Sequence, residues 1–400
     1  MPITRREALV SAGALTAASL LPVLAKTQVT DKTENHRVPA SEDAAEVVCL
    51  TDFEPLAKER LSHMAWEYFS GGAADEITVR WNREAYQRIR LKPSVLVDVS
   101  KLDTRVTILG QEQAFPILLA PTSYHKLAHP DGELATARGA GAAGATMVLS
   151  SFATTAVEDV ARSASSPLWF QLYAQTDQGF TRDLVQRVEA AGCRALCLTV
   201  DAPVAGARNR EARANFGLPH GMDLPNLKGL KGFGGGGSHR PTGPEIYSSI
   251  LDPALSWKDV EWLSSFAKIP LLVKGVLNPD DADRAVKSGV AGIVVSNHGG
   301  RNLDTVPATV DALPLVADKV AGRVPVLVDG GIRRGTDVLK ALAFGASAVL
   351  IGRPYLYGLG AEGETGVTKV VNILQREFKM AMALTGRTNI GSIDRSVIWS

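Results

Sequence analysis

From about residue 115 onward the chain repeats one pattern: a short apolar run, a polar or glycine-containing end, then an amphipathic stretch. The runs are Ile117–Ala120, Met147–Leu149, Leu168–Phe170, Ala195–Leu198, Leu271–Val273, Gly292–Val295, Val324–Val328 and Ala348–Ile351. Near-continuous apolar runs of this length, without polar alternation, predict parallel strands covered on both faces. Ala-rich amphipathic segments such as Arg182–Ala191 and Asp280–Lys287 supply the helices between them. Eight β-then-α units in series predict one closed (β/α)8 TIM barrel rather than an open doubly wound sheet.

Each run finishes in residues too polar for a core: Pro121-Thr122, Ser150-Ser151, Gln171-Leu172-Tyr173, Thr199-Val200-Asp201, Lys274, Ser296-Asn297-His298, Asp329-Gly330-Gly331 and Gly352-Arg353. Barrel enzymes build their sites at these C-terminal strand ends. The two-residue period of a strand puts Gln171 with Tyr173, Thr199 with Asp201, and Ser296 with His298 on common sides. Asp329-Gly330-Gly331-Ile332-Arg333 after the seventh run and Gly352-Arg353 after the eighth have the form of a phosphate cradle, in which backbone N–H groups and arginines face the anion. In Ser296-Asn297-His298-Gly299-Gly300-Arg301, flanking glycines and a nearby arginine favour a functional histidine over a structural one. No second histidine or carboxylate stands at ligand spacing, so no metal site is expected.

The connection between Asp201 and the fifth run takes nearly seventy residues, including Gly232-Phe233-Gly234-Gly235-Gly236-Gly237-Ser238. A connection of that length in a compact fold is functional or disordered; the expectation is a mobile cover over the barrel mouth.

Composition narrows the function classes. The chain is 45% hydrophobic and 21% charged with a formal net charge of +1, which provides a large core and argues against a nucleic-acid surface or a strongly acidic partner. Cys49, Cys193 and Cys197 suggest apolar packing rather than a disulfide framework. At the start, Thr4-Arg5-Arg6 precedes an Ala- and Leu-rich stretch to Ala25. This reads as a signal peptide of the twin-arginine type over residues 1–25, followed by a flexible lead-in over 26–50 and the catalytic domain over 51–400. Export to the periplasm follows; a retained N-terminal membrane anchor is the alternative.

From about Asp52 to Ile398 the chain resembles the FMN-dependent α-hydroxy-acid oxidases and dehydrogenases, the glycolate oxidase and lactate oxidase type. The resemblance rests on Ala120-Pro121-Thr122, Phe170-Gln171-Leu172-Tyr173, Leu272-Val273-Lys274-Gly275, the His298 motif, and Asp329-Gly330-Gly331-Ile332-Arg333-Arg334-Gly335. It implies FMN as cofactor and a small 2-hydroxy acid as substrate. By position it implies that His298 is the base and that Asp201 steadies the imidazolium. Arg208 and Arg301 would clamp the substrate carboxylate with help from Tyr68, and Tyr173 would bond the substrate oxygen. Lys274 would stabilise the reduced flavin. Pro121, Thr122, Ser123, Ser150, Gln171 and Thr199 would line the flavin ring, and Ser296 would face its ribityl region. Asp329, Gly330, Gly331, Arg333, Gly352 and Arg353 complete the cofactor set.

Several points stay open at this level. Arg210 competes with Arg208 for the clamp, the pattern Gly206-Ala207-Arg208 favouring the latter; His125 and His129 are expected to be structural. Phe152 stands where glycolate oxidase carries tryptophan and lactate oxidase a much smaller residue, so it bears on side-chain preference. L-Lactate is the leading substrate, with glycolate possible. Oxygen, a quinone or a cytochrome can each take the electrons, and the resemblance implies a homotetramer. Other readings are an FMN-dependent isomerase and a non-catalytic flavin-binding barrel.

Overall fold

The computed structural model describes residues 47–230, 246–248 and 250–399. Residues 1–46, with the signal-peptide reading and nearly all of the lead-in, lie outside them, as does Gly232–Ser238. Packing begins slightly before residue 51, because Leu50 is already buried.

Helices α1 (Phe53–Arg60), α2 (His63–Ser70) and α3 (Ile77–Arg88) lead to a hairpin of β1 (Val106–Ile108) and β2 (Gln111–Gln113). The barrel strands are β3 (Ile117–Leu119), β4 (Met147–Ser150), β5 (Leu168–Leu172), β6 (Leu196–Thr199), β7 (Leu271–Val276), β8 (Gly292–Val295), β9 (Val326–Asp329) and β10 (Ala348–Ile351). All pair in parallel, and β10 closes the barrel on β3 through Val349–Ile117, Leu350–Leu118 and Ile351–Leu119. Every apolar run of the sequence is a barrel strand. The helices around it are α4 (Gly132–Ala142), α5 (Val157–Ser163), α6 (Gln178–Ala190), α7 (Asn209–Arg213), α8 (Trp257–Phe266), α9 (Pro279–Lys287), α10 (Thr309–Val320), α11 (Gly335–Ala343) and α12 (Arg353–Leu384), the last broken at Glu362 and Gly363.

Alternation along the strands divides the core in two. Leu118, Val148, Trp169, Cys197, Leu272, Val294, Leu327 and Leu350, one from each strand, fill the barrel interior together with Ile108 of the hairpin. The hairpin closes the lower end, where Gln111 accepts a 3.1 Å hydrogen bond from the Trp169 indole. Residues of opposite parity, such as Leu119, Leu149, Phe170, Leu198 and Val295, pack outward in the larger cluster formed with the helices. Cys193 and Cys197 are buried free thiols that burial pushes up to about 12, as expected of apolar packing. Among the described residues no helix is long and apolar enough to cross a membrane.

Candidate active site

The parity that fills the interior also builds the floor of the site. Two residues beyond the interior layer, Ser150, Gln171, Thr199, Lys274, Ser296 and Asp329 must point inward at the upper end of the barrel. They form two hydrogen-bonded sets. Ser150 Oγ donates to Gln171 Oε1 (3.0 Å), and Gln171 Nε2 donates to Thr199 Oγ1 (3.0 Å). Lys274 Nζ donates to Ser296 Oγ (3.0 Å) and pairs with Asp329 Oδ2 (3.1 Å), which also accepts from Ser296 Oγ (2.9 Å). Burial pulls the Lys274 pKa down, but Asp329 and Asp201 outweigh it and raise it, so the ammonium is charged.

His298 follows this layer with φ +57°, a left-handed conformation seldom adopted by a non-glycine residue. Its N–H donates to Ser296 Oγ (3.0 Å). The preceding Asn297 is clamped to Asn82 of α3 by reciprocal amide bonds of 2.8 and 2.9 Å. His298 Nδ1 lies 2.9 Å from Asp201 Oδ1, and Nε2 lies 3.2 Å from the Tyr173 hydroxyl. A carboxylate on Nδ1 assigns the proton there and leaves Nε2 as the acceptor. Burial lowers the His298 pKa; Asp201 opposes this without overcoming it, and Lys274 and Arg208 add to the lowering. The imidazole is therefore neutral near pH 7 and can take a proton at Nε2. For Asp201, burial is outweighed by His298 and Lys274, and its pKa falls. Burial raises the Tyr173 phenol, which stays a donor.

Arg208 and Arg301 reach the same cavity. Arg301 donates to the Tyr68 and Gly71 carbonyls (2.6 and 2.9 Å) and to Glu211 Oε1 (3.0 Å), with its guanidinium 4.8 Å from the centroid of the Tyr68 ring. Arg208 lies 3.6 Å from the same carboxylate. Arg210, by contrast, is bound to Glu67 at 2.5 and 2.9 Å and to Ser70 Oγ at 2.8 Å. It ties α7 to α2, and of the two arginines Arg208 is the one that lines the cavity. Phe152 stacks on Tyr173 at 4.7 Å.

At the far end Gly330 and Gly331 have φ of +93° and +85°, and a β-carbon on Gly331 would lie 1.9 Å from the Asn82 carbonyl oxygen. Arg333 and Arg353 line the cavity there. Arg353 donates to the carbonyls of Phe69 (3.1 Å), Gly299 (2.8 Å) and Gly71 (2.6 Å). Burial pulls its pKa to about 10 and lowers that of Arg333; both keep their charge at neutral pH. Asp329 Oδ1 is buried with no partner among the described residues, an acceptor suited to a sugar-alcohol hydroxyl. A cationic end, that acceptor and a polar ring-edge set of Gln171, Thr199 and Lys274 fit a flavin mononucleotide.

The structure thus brings Tyr68, Pro121, Thr122, Ser123, Ser150, Phe152, Gln171, Tyr173, Thr199, Arg208, Lys274, His298, Arg301, Asp329, Gly330, Gly331, Arg333, Gly352 and Arg353 onto one cavity. Asp201 and Ser296 do not line it. Asp201 stands behind His298, and Ser296, fully buried, links Lys274, Asp329 and the His298 backbone. The described part of the long connection lines the cavity through Val204, Phe216, Leu218 and Ile250. His125 is buried among Thr122, Thr136 and Tyr355, consistent with a structural role. Sequence reasoning missed Glu211, Tyr124 and Phe216. Glu211 stands three residues after Arg208 on a helical turn, a spacing that hinted at the pair; nothing in the sequence marked Phe216.

Such a barrel, with a glycine-rich cationic end, a polar slot and a histidine on one cavity and an aspartate behind that histidine, is the arrangement of a flavin-dependent oxidoreductase. The chain matches the FMN-dependent dehydrogenase family over residues 57–400 and belongs to it. It is 50% identical over 356 residues to the L-lactate oxidase of Nostoc sp., covering 87% of this chain and 97% of that protein. It is 46% identical to the glycolate oxidase of Spinacia oleracea over 354 residues, 88% and 96% of the two chains. Among solved structures it is similar to a mandelate oxidase with bound (S)-2-phenylpropionate (38% identity, TM-score 0.80, 88% of this chain and 98% of that one). It is also similar to a soluble mutant of the membrane-associated (S)-mandelate dehydrogenase of Pseudomonas putida (37%, TM-score 0.82, 88% and 99%).

Proposed function

We propose that the protein oxidises a small L-2-hydroxy acid, L-lactate before glycolate, to the 2-oxo acid and passes the electrons to oxygen with release of peroxide. FMN-dependent 2-hydroxy-acid oxidation is the chemistry common to these relatives, and the 50% identity to an L-lactate oxidase supports the choice of substrate. The observation that carries the reading is the pairing of a neutral His298, held by Asp201 and Tyr173, with Arg208 and Arg301 on one cavity.

The carboxylate of the substrate is bound by Arg208 and Arg301, with Tyr68 beside them, because guanidinium offers paired donors that match it. Tyr173 bonds the hydroxyl oxygen, and His298 Nε2 accepts a proton as the substrate gives up two electrons. Asp201 steadies the imidazolium so formed. Lys274, Gln171, Thr199, Asp329 and the Arg333–Arg353 end would hold FMN, which would supply the acceptor for that electron pair. The Lys274 ammonium stands ready to offset the added negative charge. Phe152 bounds the space for the substrate side chain.

Anaerobic mixing of the holoprotein with L-lactate, glycolate, L-mandelate and a medium-chain 2-hydroxy acid tests this reading. Rapid flavin bleaching by L-lactate, followed by fast reoxidation in oxygen with stoichiometric peroxide, is expected. A membrane-associated dehydrogenase among the similar folds favours a second reading, a quinone or cytochrome acceptor; slow reoxidation by oxygen with fast reoxidation by a quinone would establish it. The paired Arg5 and Arg6 motivate a further part of the proposal, export of the folded enzyme, which replacement of both by lysine should block.

A further inference from the structure

Three features meet at Tyr124. Its φ is +64°, in the left-handed region that a bulky side chain seldom occupies and that persists only where the surroundings impose it. Its N–H donates to the Phe152 carbonyl at 3.2 Å. The ring is turned into the cavity and is almost fully buried among aromatics, with centroids 5.3 Å from Tyr68, 6.1 Å from Phe216 and 6.4 Å from Phe152. Those three rings come from α2, the connection after β6 and the end of β4, so Tyr124 joins three separate segments of the wall.

The polar walls of the chamber are already engaged by the proposed reaction: Arg208 and Arg301 face a carboxylate, His298 and Tyr173 a hydroxyl. The substituent on the carbinol carbon is left to the aromatic wall. The same cavity is also lined by apolar surface at Leu218 and Ile250, which a longer alkyl chain could use if Tyr124 were smaller. We propose that Tyr124 is a specificity-determining residue that closes the apolar end of the substrate chamber and restricts the enzyme to 2-hydroxy acids with short side chains. The proposal rests on the reaction assigned above, and Tyr124 acts by volume, not by chemistry.

The test compares the parent holoprotein with Tyr124→Gly and Tyr124→Phe. Glycine suits the backbone conformation, so the fold should survive loss of the ring; phenylalanine keeps the ring and removes only the hydroxyl. Two ratios are read: kcat/KM for (S)-2-hydroxyoctanoate over L-lactate, and the affinity of octanoate over propionate from perturbation of the flavin absorbance. Both should rise at least roughly tenfold in Tyr124→Gly, the scale on which hydrophobic pockets discriminate methylenes, and stay at parent values in Tyr124→Phe. A parent enzyme that already prefers the eight-carbon ligands, or a glycine variant with unchanged ratios, would overturn the proposal. If no 2-hydroxy acid reduces the flavin, the assigned reaction fails, while the carboxylate affinities still decide the role of Tyr124.

Discussion

Asp201 and His298, 97 positions apart in the chain, meet in a 2.9 Å bond between Oδ1 and Nδ1. The contact follows from the barrel: one residue lies just past the end of β6, the other just past the end of β8, and both strand ends open on the same mouth. Because the carboxylate accepts a hydrogen bond from Nδ1–H, the basic lone pair on Nε2 is aimed at the cavity.

A pH dependence follows. The neutral imidazole is the active form, and burial holds the His298 pKa below the ordinary value of about 6.5. The kcat/KM profile should be flat through neutrality and fall only on the acid side, below the usual imidazole range. Asp201→Asn removes the charge that favours the imidazolium, so the acid limb should move still lower. Reduction should slow by about 10³- to 10⁴-fold with flavin retained. Stopped-flow reduction across pH checks both, and an acid limb at or above pH 7 would contradict the assignment.

Lys274 and Asp329 form a buried pair at 3.1 Å. Lys274→Met leaves the Asp329 carboxylate inside without its cation, and stability should fall by roughly 3–5 kcal/mol. The double variant Lys274→Met/Asp329→Asn removes the stranded charge and should recover most of that loss, a non-additivity readable from urea denaturation. Equal losses in the single and double variants would show that the ion pair is not what the fold depends on.

The barrel was legible because parallel strands covered on both faces cannot be written without eight continuous apolar runs, and the polar ends of those runs are the site floor. What stayed hidden depends on contacts between segments distant in the chain. Only the pattern Gly206-Ala207-Arg208 separates Arg208 from Arg210 in the sequence; Glu67, on α2, shows that Arg210 is an anchor. Glu211 carries no mark in the sequence beyond its spacing from Arg208, yet it is buried between two arginines. Phe216 lies in a connection with no periodicity, and its place against Tyr68, at 4.5 Å, is a property of the closed barrel mouth.

That difference between the two arginines can be measured. Arg208→Met should raise KM for the hydroxy acid by about 100-fold, the scale of a lost charged partner, with the flavin still bound. Arg210→Met should leave KM close to the parent value and lower stability by roughly 1 kcal/mol, a figure reduced by partial exposure of the pair. The Arg210 hydrogen bond is the main cause of the lowered Glu67 pKa. Its contribution is therefore present above the ordinary carboxyl pKa and is lost as pH falls through the depressed one. The stability gap between parent and Arg210→Met should close in acid; a gap that widens there would refute the argument.

Gly331 offers the most local test of the cofactor end. Its φ of +85° disfavours any side chain, and a β-carbon would lie 1.9 Å from the Asn82 carbonyl oxygen, which is backbone and cannot swing aside. Asn82 also holds Asn297, the residue before His298. In Gly331→Ala, α3 must shift, and the displacement passes to the cofactor end on one side and to the base on the other. The expected result is a loss of about 3 kcal/mol or more, from overpacking and backbone strain together, with weaker FMN retention on dialysis and slower reduction of whatever flavin remains. Gly352→Ala is the control, since a β-carbon there meets nothing closer than 3.8 Å and should leave stability nearly unchanged. If the two variants lose stability equally, the close approach of Asn82 to Gly331 is not what fixes this end of the site.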